Sequence, residues 1–474
     1  MKFMIYSNKN ELSQAMQLKN EGKFTEALKL INILEDKKDF TLQDQLEIHH
    51  LKSSLLIELG YMNKALNYAE LAYKESQQLK NKFQIIDVLL TKTYILNKSD
   101  KQKKALDTIS KTEQLLKTIN QVSSIQFKER KAYIALYKGG CYFNMGELNR
   151  SLKYADEVLK IAKEIKNKKL IMLATKLLNF NNYYKGDLFY NLESIKHYLT
   201  LAEELNDKQE IIGGLNSMGM YFIEKGDFDK ALDYLERGLL LCDEINSFKT
   251  IVVLSSLFEL YLDIDSLEKA QQCLDRMKQF GDQIEWPGGT FYRLSKAEML
   301  KKMPQKIKRL KAKEILKQII DEEHPFSGLY YHALIDLCDL YLTELRETND
   351  LKALDEIQPY ITQLKDIANN QQAFWLLAEL FSLQAKLKLI NFEFKEAQIL
   401  LNQALDTTEK FGLDRLAKRI TNEQDELSKN FIKWEKMKVS GVNISERMDL
   451  AHIDEQIKNL FRKRMYLKRI TDQA

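Results

Sequence analysis

Gly22-Lys23-Phe24-Thr25-Glu26-Ala27-Leu28 comes back along the chain as Gly60-Tyr61-Met62-Asn63-Lys64-Ala65-Leu66. It returns again as Gly146-Glu147-Leu148-Asn149-Arg150-Ser151-Leu152 and as Gly226-Asp227-Phe228-Asp229-Lys230-Ala231-Leu232. Weaker copies begin at Asp100, Gly186 and Asp265 and end on Ala105-Leu106, Asn191-Leu192 and Ala270. The period is roughly 40 residues, and a fixed period of that size marks a solenoid, whose units bury apolar faces only against their neighbours.

Each copy reads as two antiparallel helices. The glycine closes the first, because glycine accepts the left-handed conformation that ends helices. The aromatic opens the second, and its Ala-Leu pair packs back on the first. Seven positions before the glycine stands a small residue: Ala15, Ser53, Gly139 or Gly219. A small side chain there lets the two helices approach closely. The alanine slot falls at 27, 65, 105, 151, 191, 231 and 270, with looser matches at Ala312, Ala353 and Ala397.

This combination resembles the tetratricopeptide repeat, with the unit at 211–246 fitting best through Leu215, Gly219, Phe222, Gly226, Ala231 and Gly238. The period is longer than the usual 34 residues of that repeat, as in the family's long-repeat branch, and its terminal proline is mostly missing. The expected fold is all-α: a right-handed α-α superhelix of about ten helical hairpins with C-terminal capping helices.

The expected domains are a regular array over 1–281 and a less regular array over 282–412. A capping helix over 413–439 and a basic helix over 440–474 follow. The break rests on the Gly/Pro-rich stretch 281–289. Pro359 should kink or split the second helix of unit nine. Asn443 with Glu446 starts the last helix, which should run to about residue 470.

Composition excludes other classes. Hydrophobic residues make up 45% and aromatics 10%, enough to build a core. Four prolines and 17 glycines favour helix throughout. Met1-Lys2-Phe3-Met4-Ile5-Tyr6 is too short an apolar stretch for a signal peptide, and nothing approaches a membrane span. Cys141, Cys242, Cys273 and Cys338 are scattered without a CxxC, so a reduced, cytoplasmic protein is expected. The net charge of +4 is accounted for by the last 44 residues, where ten Lys/Arg meet six Asp/Glu.

No phosphate loop, dinucleotide fingerprint, zinc-protease or serine-elbow motif is present. His49-His50 is the one histidine pair, and adjacent helical residues point about 100° apart, which bars a shared metal. No catalytic residue, metal or cofactor is expected.

The resemblance implies that first helices line a concave face receiving a peptide or partner protein. Its usual groove slots, with one aromatic a turn earlier, give Tyr133, Phe143, Lys176, Phe180, Tyr183, Asn216, Met220 and Glu259. Asn216 could hold a peptide backbone through its amide and Lys176 a carboxylate. Each of these could instead pack between units.

Two basic stretches stand apart, 301–313 and 458–469. They include Lys306, Lys308, Arg309, Lys311, Arg462, Lys463 and Arg464, and could meet nucleic acid, an anionic surface or solvent. In the tail, Leu450, Ile453, Ile457, Leu460, Arg464 and Leu467 follow a short heptad seam. That helix could dock on the solenoid, make a homodimer of an otherwise monomeric chain, or enter a partner.

The function expected is a non-enzymatic interaction scaffold or adaptor. The alternatives are a peptide-signal sensor that sequesters a partner, with the repeats beginning too early for a preceding effector domain, and a binder of nucleic acid or membrane surface through the basic tail.

Overall fold

At Gly22, Gly60 and Gly226 the backbone turns left-handed, with φ of 80°, 81° and 72°. One residue later an amide donates to the carbonyl five positions back. Lys23 reaches Leu18, Tyr61 reaches Leu56 and Asp227 reaches Phe222, each at 2.9 Å. That bond satisfies a helix-end carbonyl and fixes the reversal between the two helices. Asp265 (φ 56°) and Phe392 (φ 60°) occupy the same turn without glycine. Asp tolerates this region, whereas Phe392 is held there by its neighbours, with the Arg447 guanidinium 4.5 Å from its ring.

The computed structural model describes residues 10–36, 40–99, 101–120, 123–145, 147–184, 192–281, 288–322, 328–371, 373–411 and 413–460. These form ten helical hairpins. The first four are α1 (Asn10–Asn20) with α2 (Phe24–Glu35), α3 (Leu42–Glu58) with α4 (Met62–Leu79), α5 (Lys82–Lys98) with α6 (Gln102–Lys117), and α7 (Ile125–Asn144) with α8 (Leu148–Glu164). Then come α9 (Lys168–Tyr184) with α10 (Leu192–Glu204), α11 (Lys208–Glu224) with α12 (Phe228–Ile245), and α13 (Thr250–Asp263) with α14 (Leu267–Gly281). The last three are α15 (Gly288–Lys302) with α16 (Lys306–Glu322), α17 (Gly328–Thr348) with α18 (Lys352–Gln371), and α19 (Phe374–Ile390) with α20 (Phe394–Lys410).

The small slots do what close approach demands. A Cβ built at Gly219 would lie 2.6 Å from Cγ of Leu235, and one at Gly139 would lie 2.9 Å from Leu177 and 3.2 Å from Tyr154. Leu235 and Tyr154 belong to the second helix of the same hairpin, so glycine sets the helix separation. Successive first helices also touch one another, as α5 does α7, α7 does α9 and α15 does α17, whereas second helices pack mainly on first helices. First helices are therefore on the inside of the curve. One exposed ion pair steps along by whole repeats: Lys128–Glu164, Lys168–Glu204 and Lys208–Glu244, at 2.8, 2.7 and 2.6 Å.

Stacking continues past the Gly/Pro-rich stretch, with α15 packed on both α13 and α14. Residues 282–287, like the weak copy at Gly186, lie outside the described residues. Pro359 does not split its helix, since α18 runs through it. Pro359 and Asp355, whose carbonyl loses its amide partner, are both exposed, so water can serve that carbonyl.

α21 (Asp414–Ser440) covers the last hairpin, burying Leu416, Ile420, Trp434 and Met437. Gly441 ends it in a left-handed turn. The tail is not one helix. α22 (Ile444–Leu450) starts on an Asn443 cap, where the Glu446 amide donates to Asn443 at 2.9 Å. His452 then turns left-handed, and helix resumes over 453–460.

The break lets both tail segments dock on the inner wall. Ile444 donates its amide to Asn349 at 2.9 Å, Arg346 pairs with Asp449 and Asp454, and Gln456 donates to the carbonyl of Glu379 at 2.8 Å. Ile453, Ile457 and Leu460 of the seam are buried against the solenoid.

Candidate functional site

Six hairpins bring the superhelix round far enough for its start to meet its own wall. The turn at Gly22 abuts hairpin six, where a Cβ on that glycine would lie 3.0 Å from Ile245 and 3.1 Å from Lys208. Inside this closed turn is a cavity of about 690 Å³, within the range of sites that enclose small ligands. Tyr94, Tyr133, Tyr137, Phe180 and Phe248 supply aromatic wall. Burial raises the hydroxyl pKa of Tyr94, Tyr133 and Tyr137, so these phenols stay neutral donors.

The ionic lining comes largely from first-helix ends and inter-hairpin turns. Lys169 pairs with Asp207 at 2.9 Å and Lys176 with Glu210 at 3.0 Å. Burial alone would raise the Glu210 carboxyl, but Lys176, Lys249 and the Tyr198 hydroxyl outweigh it, and its pKa falls. Burial lowers the Lys176 ammonium, and Glu210 recovers only part of that.

A carboxyl held below its unfolded value of about 4.3 stabilises the fold above that value and loses the contribution as pH falls through the folded pKa. Glu210→Gln should therefore flatten the drop in melting temperature between pH 5 and pH 3. A slope equal to that of the unaltered chain would refute this.

Other charges lack such pairing. Lys19 donates to the Ser54 hydroxyl and Lys249 to the Gln209 carbonyl at 2.8 Å. Neither has a carboxylate within ion-pair distance among the described residues. Burial lowers Lys19 and raises Glu58, each partly opposed by the other's charge. Glu129 accepts from Asn167 at 2.9 Å, and burial raises it as well. The cavity thus gathers two basic side chains, Lys19 and Lys249, and two acidic ones, Glu58 and Glu129, none of them in a direct ion pair among the described residues.

Of the residues singled out by slot, Tyr133, Lys176 and Phe180 line this cavity. Lys176 already holds a carboxylate, that of Glu210. Phe143 is buried against Phe180, with ring centroids 6.3 Å apart. Asn216, Met220 and Glu259 are buried on α11 and α13, outside the lining. The side chain of Tyr183 lies outside the described residues, as do Arg462, Lys463 and Arg464.

The basic stretch 301–313 is partly neutralised by α17. Arg309 meets Glu347 at 2.6 Å, Lys313 meets Glu344, and Lys301 meets Asp336 and Asp339 at 2.7 Å each. Lys306 and Lys311 are exposed and Lys308 is half-buried. His49 turns to Glu75 at 2.8 Å while His50 turns to Thr91 at 2.8 Å, so the pair diverges.

Slot reasoning missed Lys19, Glu58, Glu129, Asp207, Glu210 and Lys249. For Asp207, Glu210 and Lys249 the signal was the charged cluster at an inter-hairpin turn, as in Asn206-Asp207-Lys208-Gln209-Glu210, whereas Lys19 and Glu58 stand at the ends of first helices. Left-handed Lys80, Lys166, Asn206 and Asn246 mark those turns.

No family model matches the chain, and no curated protein does. Solved structures do. A Rap protein complexed with competence and sporulation factor is 15% identical, with a TM-score of 0.52 over 77% of this chain and 97% of that one. The apo form of the quorum sensor NprR from B. thuringiensis is 16% identical, with a TM-score of 0.48 over 76% and 98%. The human IFIT1 dimer with PPP-AAAA is 12% identical, with a TM-score of 0.47 over 98% and 95%. With its left-handed hairpin turns, small-residue helix crossings and inner wall of first helices, this chain is a tetratricopeptide-type α-solenoid.

Proposed function

We propose that this chain is a non-catalytic interaction protein that captures a short peptide in the cavity of its first six hairpins and uses its remaining surface to engage a protein partner. The observation that carries this reading is the lining. Lys19 and Lys249 line the same cavity as Glu58 and Glu129, between aromatic walls.

A ligand with one cationic and one anionic end answers both sets, and a peptide with free termini is such a ligand. Desolvated, charge-assisted contacts of this kind are stronger than neutral ones. Its apolar side chains would meet Tyr94, Tyr137, Phe180 and Phe248. A protein of similar fold, the Rap protein, is complexed with a factor, which supports ligand capture by this architecture.

The test is a thermal-shift screen of short random peptides with free or blocked termini. A peptide at 100 times its dissociation constant adds about 2.7 kcal/mol of stability. Free-ended peptides should raise the melting temperature. Blocking either end, or introducing Lys249→Met or Glu58→Gln, should abolish the rise. No shift from any pool, or a shift indifferent to both substitutions, would sink the reading.

A further inference from the structure

In a stack of antiparallel hairpins the turns within hairpins fall along one edge, where each first helix ends and each second helix begins. The apolar residue that opens the second helix is buried in hairpins one, two and four, at Phe24, Met62 and Leu148. In hairpins six and seven the same slot is exposed, Phe228 by 38% and Leu267 by 47%. Ile264 is exposed at the turn of hairpin seven, Ile307 (59%) and Leu310 at that of hairpin eight, and Leu351 at that of hairpin nine. Exposed apolar residues scattered singly need no explanation. Six on the consecutive turns of one edge form a ridge, and such patches mark interaction surfaces.

Charge along this ridge is divided by hairpin. At the turn of hairpin seven, Asp265 and Glu268 are exposed beside Ile264 and Leu267, while Lys269 lies 5.3 Å from the Tyr261 ring. From Lys301 to Lys313, around the turn of hairpin eight, there is no acid. Arg309 is held by Glu347, and Lys302, Lys306 and Lys311 are exposed around Ile307 and Leu310. One apolar pair therefore sits beside negative charge and its neighbour beside positive charge.

A surface of this kind is complementary to itself. In a two-fold dimer, a contact of one residue with a second is matched by the contact of the second with the first. A two-fold axis crossing the ridge between hairpins seven and eight runs two ridges antiparallel. It lays Ile264 and Leu267 on the partner's Ile307 and Leu310, and brings Asp265 and Glu268 to the partner's Lys306 and Lys311. Phe228 then falls opposite the partner's Leu351. Parallel ridges would set each turn on its own copy, acid against acid and base against base. An anionic lipid surface would suit the turn of hairpin eight and be repelled by that of hairpin seven.

We propose that this edge of hairpins six to nine is a self-association surface, on which two copies of the chain pair about a two-fold axis with their ridges antiparallel. The contact stands apart from the peptide cavity, and neither reading depends on the other.

Sedimentation velocity of the full chain should show a monomer–dimer equilibrium that weakens as salt is added, since exposed charges are screened. Reversing charge at one turn, by Asp265→Lys with Glu268→Lys or by Lys306→Glu with Lys311→Glu, should weaken the dimer by roughly tenfold or more, because like charges then face each other. Lysine is accepted in the left-handed conformation of Asp265, as Lys80 and Lys166 show. The decisive sample is an equimolar mixture of the two variants. Both contacts then join opposite charges again, so a dimer containing one copy of each should return. Its return also shows that both variants are folded.

Leu267→Ser with Ile307→Ser leaves every charge in place and should also give monomers. A chain that stays monomeric at all concentrations would overturn the proposal. So would reversed variants that keep their helical circular dichroism yet fail to pair when mixed. A dimer indifferent to all these substitutions would overturn it as well, and would move the contact elsewhere, for instance to the exposed Ile432 and Val439 of α21.

Discussion

Replacing Asp87 by alanine is expected to cost about 3–5 kcal/mol, because it leaves the Arg130 guanidinium buried without its carboxylate. Asp87 on α5 and Arg130 on α7 join hairpins three and four at 2.7 Å, with side chains 1% and 4% exposed. Arg130 also lies 4.5 Å from the Phe83 ring and donates to the Gln126 carbonyl at 3.2 Å, so it has little freedom to reach water. The loss should appear as a lower melting temperature and as faster hydrogen exchange in α5 and α7. Asp87→Ala combined with Arg130→Met should recover most of it, since replacing a whole buried pair by apolar groups is often neutral. A double variant as unstable as Asp87→Ala would refute the account.

The same pair carries a pH signature. Burial pushes the Asp87 carboxyl up to about 7 against the opposing pull of Arg130. A carboxyl raised above its unfolded value of about 4 contributes fully below that value and loses the contribution as pH climbs towards the folded value. Arg130→Met removes the opposing charge, so that variant should be distinctly more stable at pH 5 than at pH 8. Asp87→Ala, with no carboxyl to titrate there, should lack this dependence.

Most of the architecture was legible because each hairpin repeats a local necessity. A left-handed turn favours glycine, a close helix crossing favours a small residue, and Ala15, Ser53, Gly139 and Gly219 are all buried at such crossings. The site was less legible because it is not local. Its walls come from residues over 200 positions apart in sequence, such as Met16 and Lys249, and their meeting depends on the pitch of the superhelix. Slot counting finds mid-helix positions such as Lys176 and Phe180. It passes over Lys19, Asp207 and Lys249 near helix ends, which the curvature turns inward. The tail shows the converse: its heptad spacing was readable, but the left-handed turn at His452 that redirects it has no glycine to announce it.

The signature glycines look equivalent in sequence, and the structure makes one of them special. Gly226 (φ 72°) has open space around a would-be Cβ, so Gly226→Ala should cost only the left-handed strain, roughly 1–2 kcal/mol. Gly22 (φ 80°) carries the same strain, and a Cβ there would also crowd Ile245 and Lys208 across the closure of the superhelical turn. Gly22→Val should add overpacking of about 1–3 kcal/mol. The cheapest relief is to part hairpin one from hairpin six, which opens the cavity. Small-angle scattering should then show a larger radius of gyration for Gly22→Val and none for Gly226→Val, although both melt earlier. Peptide capture, if the cavity performs it, should weaken with Gly22→Val and survive Gly226→Val. Identical scattering from the two variants would show that contact at Gly22 does not hold the turn closed.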